Sequence, residues 1–395
     1  MSEATFISEE VIRRLDTIET LMSIAMAIKE NRCHTTIDFK CIHMGKGCAV
    51  IITEALKFNR CLTTICFSLN NIGDAGSAYI AKALKVNMCL TTISLCLNNI
   101  GDIGAASIAE ALKVNRCLTT IDLSKNYIGE NGAESIAEAL KVNRTLTIMD
   151  LSWNKIGDAG AEFIAEALKV NRCLTTIHLS FNNIRGDGTT SITEVLKVNR
   201  CITTLSLSVN PIWAGIASIA EMLKVNRTLT TIYLSNSVIG VAGAASIAEA
   251  LKVNRTLTSI RFSGSGCRDA GFTSIAEALK VNKYLTSIDV SFNLIGDAGA
   301  ESIAEALKIN RTLTAINLSG NNIGDAAQAS IKEALEVNPF ALVPFTPEQR
   351  LAILTARKPA ESPLRKLPLD VIKRIMLCYH VNEARRTWDG YKVKI

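Results

Sequence analysis

The apolar residues of this chain follow two different periods within each stretch of 28 residues. In residues 118–145 they first recur at strand-like spacing, in the pattern L-x-x-I-x-L-x-x-N-x-I. The next segment, AESIAEALKV, places Ile136, Ala137 and Leu140 on one side at helical spacing, with glutamate and lysine side chains opposite. Each stretch is therefore predicted to form a short strand followed by an amphipathic helix.

This unit is repeated along most of the chain. Eleven units begin at His34, Leu62, Leu90, Leu118, Leu146, Leu174, Ile202, Leu229, Leu257, Leu285 and Leu313. Only the seventh departs from 28 residues, through a one-residue deletion near Pro211. A single unit has too little core to fold alone, but stacked copies share one apolar interior. Since packed helices need wider spacing than strands, the stack is predicted to bend into a horseshoe with an inner parallel sheet and outer helices.

The unit also carries a recognisable motif. The pattern L-x-x-I-x-L-x-x-N-x-I-G, followed by D-A-G-A-x-x-I-A-E-A-L, resembles the leucine-rich repeat superfamily, specifically its ribonuclease-inhibitor-like class, over residues 20–340. The resemblance implies an α/β solenoid with a buried asparagine ladder, in which each amide satisfies backbone groups of the turn after a strand. The asparagine occurs at Asn70, Asn98, Asn126, Asn154, Asn182, Asn210, Asn293 and Asn321.

Two further columns indicate how the units join. Acidic residues, which are favourable at the positive N-terminal end of a helix, occur at Asp74, Asp102, Glu130, Asp158, Asp269, Asp297 and Asp325. The asparagine ladder is interrupted by Ser237 and Ser265, next to the unit with the deletion. Residues 205–270 are therefore predicted to be the least regular part of the array, with a local change of curvature.

The chain divides into three predicted parts. Residues 1–33 read as an N-terminal helical cap, residues 34–340 as the solenoid, and residues 341–395 as a basic, proline-containing helical tail. The tail carries a net charge of +6, from 11 Lys or Arg against 5 Asp or Glu, which equals the charge of the whole chain. The horseshoe is therefore neutral overall, which argues against a scaffold that wraps nucleic acid.

The tail contains a second resemblance. The segment LPLDVIKRIMLCYHV, residues 367–381, is similar to the opening of an F-box, the helical module that docks on the Skp1 subunit of ubiquitin ligases. The remaining helices of that module are not evident in the sequence that follows. The alternative is an amphipathic helix that packs over the last repeat as a cap.

The N-terminal residues and the lengths of the apolar stretches indicate where the protein is expected to be located. The first residues, MSEATFISEE, lack the basic and apolar regions of a signal peptide, and no stretch is long enough to cross a bilayer. We therefore expect a cytoplasmic monomer that does not contact membranes. The near-identity of the units indicates recent duplication, as in effectors of intracellular bacteria, in which case the location is the host cytoplasm.

The cysteines are predicted to be free thiols. Six of the twelve share one repeat position, where other units carry threonine, so they read as small buried fillers: Cys33, Cys61, Cys89, Cys117, Cys173 and Cys201. The cysteines and histidines near residues 33–48 lack the paired spacing of a zinc site. No cofactor or metal site is predicted.

Candidate binding residues lie where side chains alternate out of the apolar interior, toward the hollow of the horseshoe. Most of these positions carry threonine or serine. The exceptions are expected to form a protein-binding hot spot, because exposed aromatics beside charged residues are typical of such surfaces. They are Asp122, Asp150, Trp153, His178, Phe181, Tyr233, Arg261 and Phe292.

The sequence therefore predicts a scaffold that binds a partner protein on the concave face of the array. Asp150, His178 and Ser206 lie in one column and resemble a hydrolytic triad, but an open sheet supplies no oxyanion donors and no water-excluding pocket, so the chain is not expected to be an enzyme. The alternatives are a ubiquitin-ligase substrate receptor, through the F-box-like helix, and a Ran-type GTPase-activating protein, whose repeats resemble these at the level of the fold.

Overall fold

The structure is a computed structural model that describes residues 18–41 and 45–337. Within these residues eleven parallel strands form one sheet, in which every strand pairs with its neighbours in chain order. A helix follows each strand, and one further helix precedes the first. The predicted α/β solenoid with one parallel sheet and a layer of helices is confirmed. The sheet is open, and its two edges are the first and the last strand.

The strands are three residues long. They are β1 (Thr36–Asp38), β2 (Thr64–Cys66), β3 (Thr92–Ser94), β4 (Thr120–Asp122), β5 (Ile148–Asp150), β6 (Thr176–His178), β7 (Thr204–Ser206), β8 (Thr231–Tyr233), β9 (Ser259–Arg261), β10 (Ser287–Asp289) and β11 (Ala315–Asn317). The middle residue of β2 to β10 is buried while its two neighbours are mostly half-exposed. One face of the sheet therefore lies against the helices and the other is open to solvent.

The helices form a second layer over the buried face. They are α1 (Ile18–Lys29), α2 (Gly45–Leu56), α3 (Gly73–Leu84), α4 (Asp102–Leu112), α5 (Glu130–Val142), α6 (Gly157–Val170), α7 (Gly186–Leu196), α8 (Ile216–Val225), α9 (Gly240–Val253), α10 (Arg268–Val281), α11 (Asp297–Ile309) and α12 (Asp325–Val337). The predicted apolar side of α5, with Ile136, Ala137 and Leu140, is at most 1% exposed. The buried apolar residues of the described chain, apart from Ala27, join one continuous core.

The one-residue deletion in the seventh unit is absorbed outside the sheet. The register across β7 and β8 is unbroken, with Thr204 opposite Thr231 and Ser206 opposite Tyr233. The missing residue instead shortens the connection to α8, where Trp213–Gly215 forms a single 3₁₀ turn. The strands therefore keep one continuous face through the irregular segment.

The asparagine ladder is present as expected. The side-chain nitrogen of Asn126 donates to the carbonyl of Leu95 in the previous unit at 3.0 Å, and to the carbonyl of Leu123 in its own unit at 2.9 Å. Its side-chain oxygen accepts from the backbone nitrogens of Asn98 and Ile100, each at 3.0 Å. Each asparagine thus satisfies buried backbone groups of two units at once.

A second asparagine ladder lies at the ends of the helices. Asn143 is fully buried, donates to the carbonyl of Leu112 at 2.8 Å and accepts from the backbone nitrogen of Leu146 at 2.8 Å. Its backbone is extended, with φ −68° and ψ 135°, at the point where α5 ends. The glycosylation-like tripeptide that begins at Asn143 is therefore structural, because its amide is buried and already bonded.

The acidic residues contact the helix of the next unit, whereas we expected each to stabilise the helix of its own unit. Asp102 begins α4, yet its carboxylate accepts from the backbone nitrogens of Gly129 and Gly132, at 2.6 and 3.0 Å, at the start of α5 in the next unit. Asp74, Asp158 and Asp269 make the same pair of bonds. These residues stabilise the N-terminal end of the following helix and so connect neighbouring units.

Several expectations lie outside the described residues. They are the part of the N-terminal cap before residue 18, His43, and the whole tail from residue 338 with its F-box-like segment. Within the predicted N-terminal helical cap, the described residues form α1.

Candidate protein-binding site

The open face of the sheet presents one variable position on every strand. The last residue of each strand forms what we term the strand column: Asp38, Cys66, Ser94, Asp122, Asp150, His178, Ser206, Tyr233, Arg261, Asp289 and Asn317. Strand pairing places each member directly opposite the next, so Asp122, Asp150 and His178 are successive neighbours. Tyr233, Arg261 and Asp289 form a second run of neighbours.

A second variable position lies three residues beyond each strand. We term it the turn column: Cys41, Leu69, Leu97, Lys125, Trp153, Phe181, Val209, Asn236, Gly264, Phe292 and Gly320. Every member has a left-handed backbone, with φ between 54° and 68°. Glycine adopts this conformation without strain, whereas side chains with a Cβ adopt it at a cost of about 1 kcal/mol. Gly264 and Gly320 are thus the residues that the backbone geometry favours.

Six successive turn-column residues are large despite this cost. We term them the apolar ridge: Leu69, Leu97, Lys125, Trp153, Phe181 and Val209. Trp153 and Phe181 stack with ring centroids 3.7 Å apart and planes 9° from parallel. The ammonium of Lys125 lies 5.6 Å from the centroid of the Trp153 ring. Trp153 and Phe181 are half-buried rather than fully exposed as expected, because their rings cover each other.

Two carboxylates lie beside the ridge. Asp122 accepts from the hydroxyls of Ser94 at 2.8 Å and Ser124 at 2.6 Å, whereas Asp150 accepts from the backbone nitrogen of Ser152 at 2.8 Å. Burial and the neighbouring charge of Asp122 raise the pKa of Asp150, while His178 acts in the opposite direction. Burial and the Asp122 carboxylate likewise raise the pKa of the Cys96 thiol to about 11. The pair is therefore a concentration of negative charge that the free protein does not fully compensate.

A separate cluster lies on the eighth to tenth strands. The guanidinium of Arg261 lies 5.0 Å from the centroid of the Tyr233 ring. Phe292 is 57% exposed, and its ring extends toward the next turn, since a Cβ placed on Gly320 would lie 2.4 Å from it. The eight predicted residues therefore fall into two groups, with Phe292 on the side of Arg261 and away from Trp153.

The comparison with protein families follows this repeat pattern. The family described as "Leucine Rich repeat" matches residues 58–81, 86–109, 114–137, 142–165, 170–192, 225–248, 281–304 and 310–327. The chain is a leucine-rich repeat protein. The segments without a match include the unit with the deletion and the unit that contains Ser265. The ribonuclease-inhibitor-like class stays a prediction.

Solved structures agree with this fold. The leucine-rich repeat-containing protein LegL7 from Legionella pneumophila is similar with a TM-score of 0.50 and 17% identity, over 78% of this chain and 99% of that one. The actin-binding site 2 of leiomodin-1 has a TM-score of 0.33 and 24% identity, over 37% of this chain and 86% of that one, a likeness too low to carry an argument. No curated protein sequence matches the chain.

Two apolar residues of this leucine-rich repeat protein were missed by the sequence reasoning. Ile148 replaces the threonine that begins most strands, and it is 38% exposed on the same strand as Asp150. Trp213 is 68% exposed in the 3₁₀ turn that the deletion creates, away from the sheet. Ile148 could have been found, because it interrupts a column of threonines. The exposure of Trp213 depends on how the shortened connection folds.

The remaining chemistry of the open face is structural. The Ser206 hydroxyl is bonded to the hydroxyl of Ser180 and the residue is only 6% exposed. The six column cysteines are half-buried rather than buried, and Cys33 and Cys61 approach to 3.3 Å between sulfurs without a disulfide. Over residues 18–41 and 45–337, no group of three metal-ligating side chains is assembled, and no helix is long and apolar enough to span a membrane.

Proposed function

We propose that this leucine-rich repeat protein binds a partner protein across the apolar ridge and the adjoining strand column. The main observation that supports this proposal is that six successive turn-column residues have large side chains on a left-handed backbone. Backbone strain of this kind persists where a structure or a function requires it. The ridge residues add no contact to the apolar core, which is complete beneath them, so a partner supplies the reason for keeping them.

The charged and aromatic neighbours support the same reading. Binding hot spots combine aromatic side chains with charges that a partner desolvates. The stacked pair of Trp153 and Phe181 lies beside three charged or titratable residues of the strand column. These are Asp122, Asp150 and His178, in three successive units of the solenoid. We place the main contact here and a second contact at Tyr233 and Arg261. The role is binding rather than catalysis.

The experiment is a quantitative affinity capture from cell lysate with the full chain as bait. The variant Trp153→Gly with Phe181→Gly removes both rings and keeps the backbone, because glycine is native at two other positions of the same column. A specific partner should fall at least about tenfold in the captured fraction, as hot-spot residues require. Trp213→Ala removes an exposed ring outside the open face and should leave capture unchanged.

A partner set that is identical for the wild type and the double glycine variant would contradict the proposal. The Skp1-like partner and the Ran-type activity stay predictions, because no contact in the described residues favours either. A cytoplasmic location is part of the proposal and rests on the eleven free thiols among the described residues.

A further inference from the structure

The apolar ridge has a length and a period that restrict the shape of its occupant. Its six residues follow six consecutive parallel strands, β2 to β7, one residue per strand. Neighbouring strands are about 4.8 Å apart, so the ridge is about 24 Å long. Leu69 and Leu97, at its first two positions, are each 37% exposed. An occupant therefore meets a ridge side chain about every 4.8 Å, and five of the six are apolar, with Lys125 as the exception.

A helix fits this period better than an extended strand does. One helical turn rises 5.4 Å, so an apolar side chain on each turn stays close to one ridge residue. Side chains on one face of an extended segment recur about every 6.6 Å, which loses register with the ridge after two contacts. A helix of about 16 residues, at 1.5 Å per residue, covers the whole ridge.

The charge beside the ridge specifies the polar side of that helix. Among the ion pairs of the described residues, none joins Asp122 or Asp150 to a lysine or arginine. The nearest ridge cation, Lys125, instead places its ammonium over the Trp153 ring. The raised pKa of Asp150 has the same origin, since it arises from burial and from Asp122. A cation from outside would relieve the repulsion between the two carboxylates.

We infer that the partner presents an amphipathic, basic helix of about 16 residues to this site. Its apolar side lies along the ridge, and a lysine or arginine of its polar side contacts Asp122 and Asp150. This inference rests on the proposed function and adds the chemistry of the partner to it. Lys125, the charged residue of the ridge, repels a basic helix, and we expect its single positive charge to be outweighed by the two carboxylates.

The test is a selection of random 18-residue peptides displayed on phage against the full-length chain. Enriched peptides should show apolar residues at spacings of three and four together with an excess of lysine and arginine. A synthetic copy of the best peptide should bind the double glycine variant at least about tenfold more weakly. Asp122→Asn with Asp150→Asn should weaken binding by a similar factor, and more at low than at high salt. Glu134→Gln with Glu162→Gln removes the same number of carboxylate charges from exposed positions on the outer helices α5 and α6, and this matched control should change binding little.

The outcomes separate the inference from the proposed function. Enriched peptides that depend on Trp153 and Phe181, but are acidic or alternate with a period of two, would overturn the helix inference alone. Peptides that bind the double glycine variant as well as the wild type would overturn both. An absence of any enriched sequence would also count against the inference, because a preformed ridge should select short helices directly.

Discussion

At the residue scale, glycine is the residue with the least backbone strain in the turn column, whereas in a helix or strand it usually lowers stability. The left-handed backbone at Trp153, with φ 60°, is a conformation that alanine and tryptophan adopt with strain. The sequence shows the column and its two glycines, but not the sign of φ. A large residue at a variable position does not indicate which backbone conformation that position has. Only the backbone angles make Trp153 and Phe181 costly choices.

We therefore expect Trp153→Gly to be more stable than Trp153→Ala, by about 1 kcal/mol. The reason is that both variants lose the ring while only alanine keeps the backbone strain. Urea unfolding of the two variants measures the difference. At Ile148, which lies in strand β5, the same pair of substitutions should give the opposite order. Equal stability of the two Trp153 variants would contradict the assignment of strain.

Asp150 gives a second prediction at this scale. Its folded pKa is raised, so the folded state binds the proton more tightly than the unfolded state does. The wild type should consequently lose stability as the pH rises from the ordinary aspartate value of 3.8 through the folded pKa. Asp150→Asn removes this loss and should be the more stable protein at pH 7, with the difference shrinking toward pH 3. Denaturant unfolding at several pH values checks the sign, and a variant less stable at neutral pH would refute it.

At the element scale, one acidic residue decides how the next helix begins. Where a unit carries Asp74, Asp102, Asp158, Asp269 or Asp297, the carboxylate accepts from the residue that precedes or begins the next helix. Where the unit carries Glu130 or Val241 instead, the residue that begins the next helix has a left-handed backbone. These residues are Gly157 and Arg268, and the backbone nitrogen of each donates to a carbonyl of the following unit. Both arrangements satisfy the same backbone nitrogen.

Val241→Asp should switch the ninth unit from the second arrangement to the first. The new carboxylate would accept from the backbone nitrogens of Arg268 and Gly271 and remove the left-handed strain at Arg268. We expect a gain of about 1 kcal/mol in the free energy of unfolding. Val241→Ala controls for loss of the valine side chain and should give no gain. A crystal structure of the aspartate variant in which Arg268 keeps φ near 54° would show the explanation to be wrong.

At the scale of the whole molecule, the protein is a row of equivalent units that contact only their neighbours. Such arrays lose or gain whole units without changing the rest, because their stability is a sum of unit and interface contributions. The unbroken register across the seventh unit shows that even a deletion leaves the sheet continuous. The position of a unit therefore matters for function more than for folding.

Excision of residues 146–173 or of residues 285–312 tests this separation. Each removes one complete unit and joins equivalent positions, so both variants should unfold cooperatively with a similar loss of stability. The first removes Asp150 and Trp153 of the main contact and should lose the captured partner. The second removes Phe292, beside the proposed second contact, and should keep most of the capture. Circular dichroism with urea titration measures the folding, and affinity capture measures the binding. Loss of capture in both variants, with both folded, would place the partner elsewhere on the array.

The fold and the unit boundaries could be predicted from the amino-acid sequence alone, because both follow from a pattern repeated within each unit. The asparagine ladder was implied by the resemblance to leucine-rich repeats. The sequence pattern also predicted the strand and turn columns, because the alternation along a strand indicates which side chains point away from the core. Two features depend on contacts between neighbouring units and were visible only in the tertiary structure: which helix each aspartate stabilises, and the raised pKa of Asp150. The tertiary structure also decided that Trp153 stacks on Phe181 rather than standing alone. The physical reason is that these interactions arise from the register of the stack, which no single unit encodes.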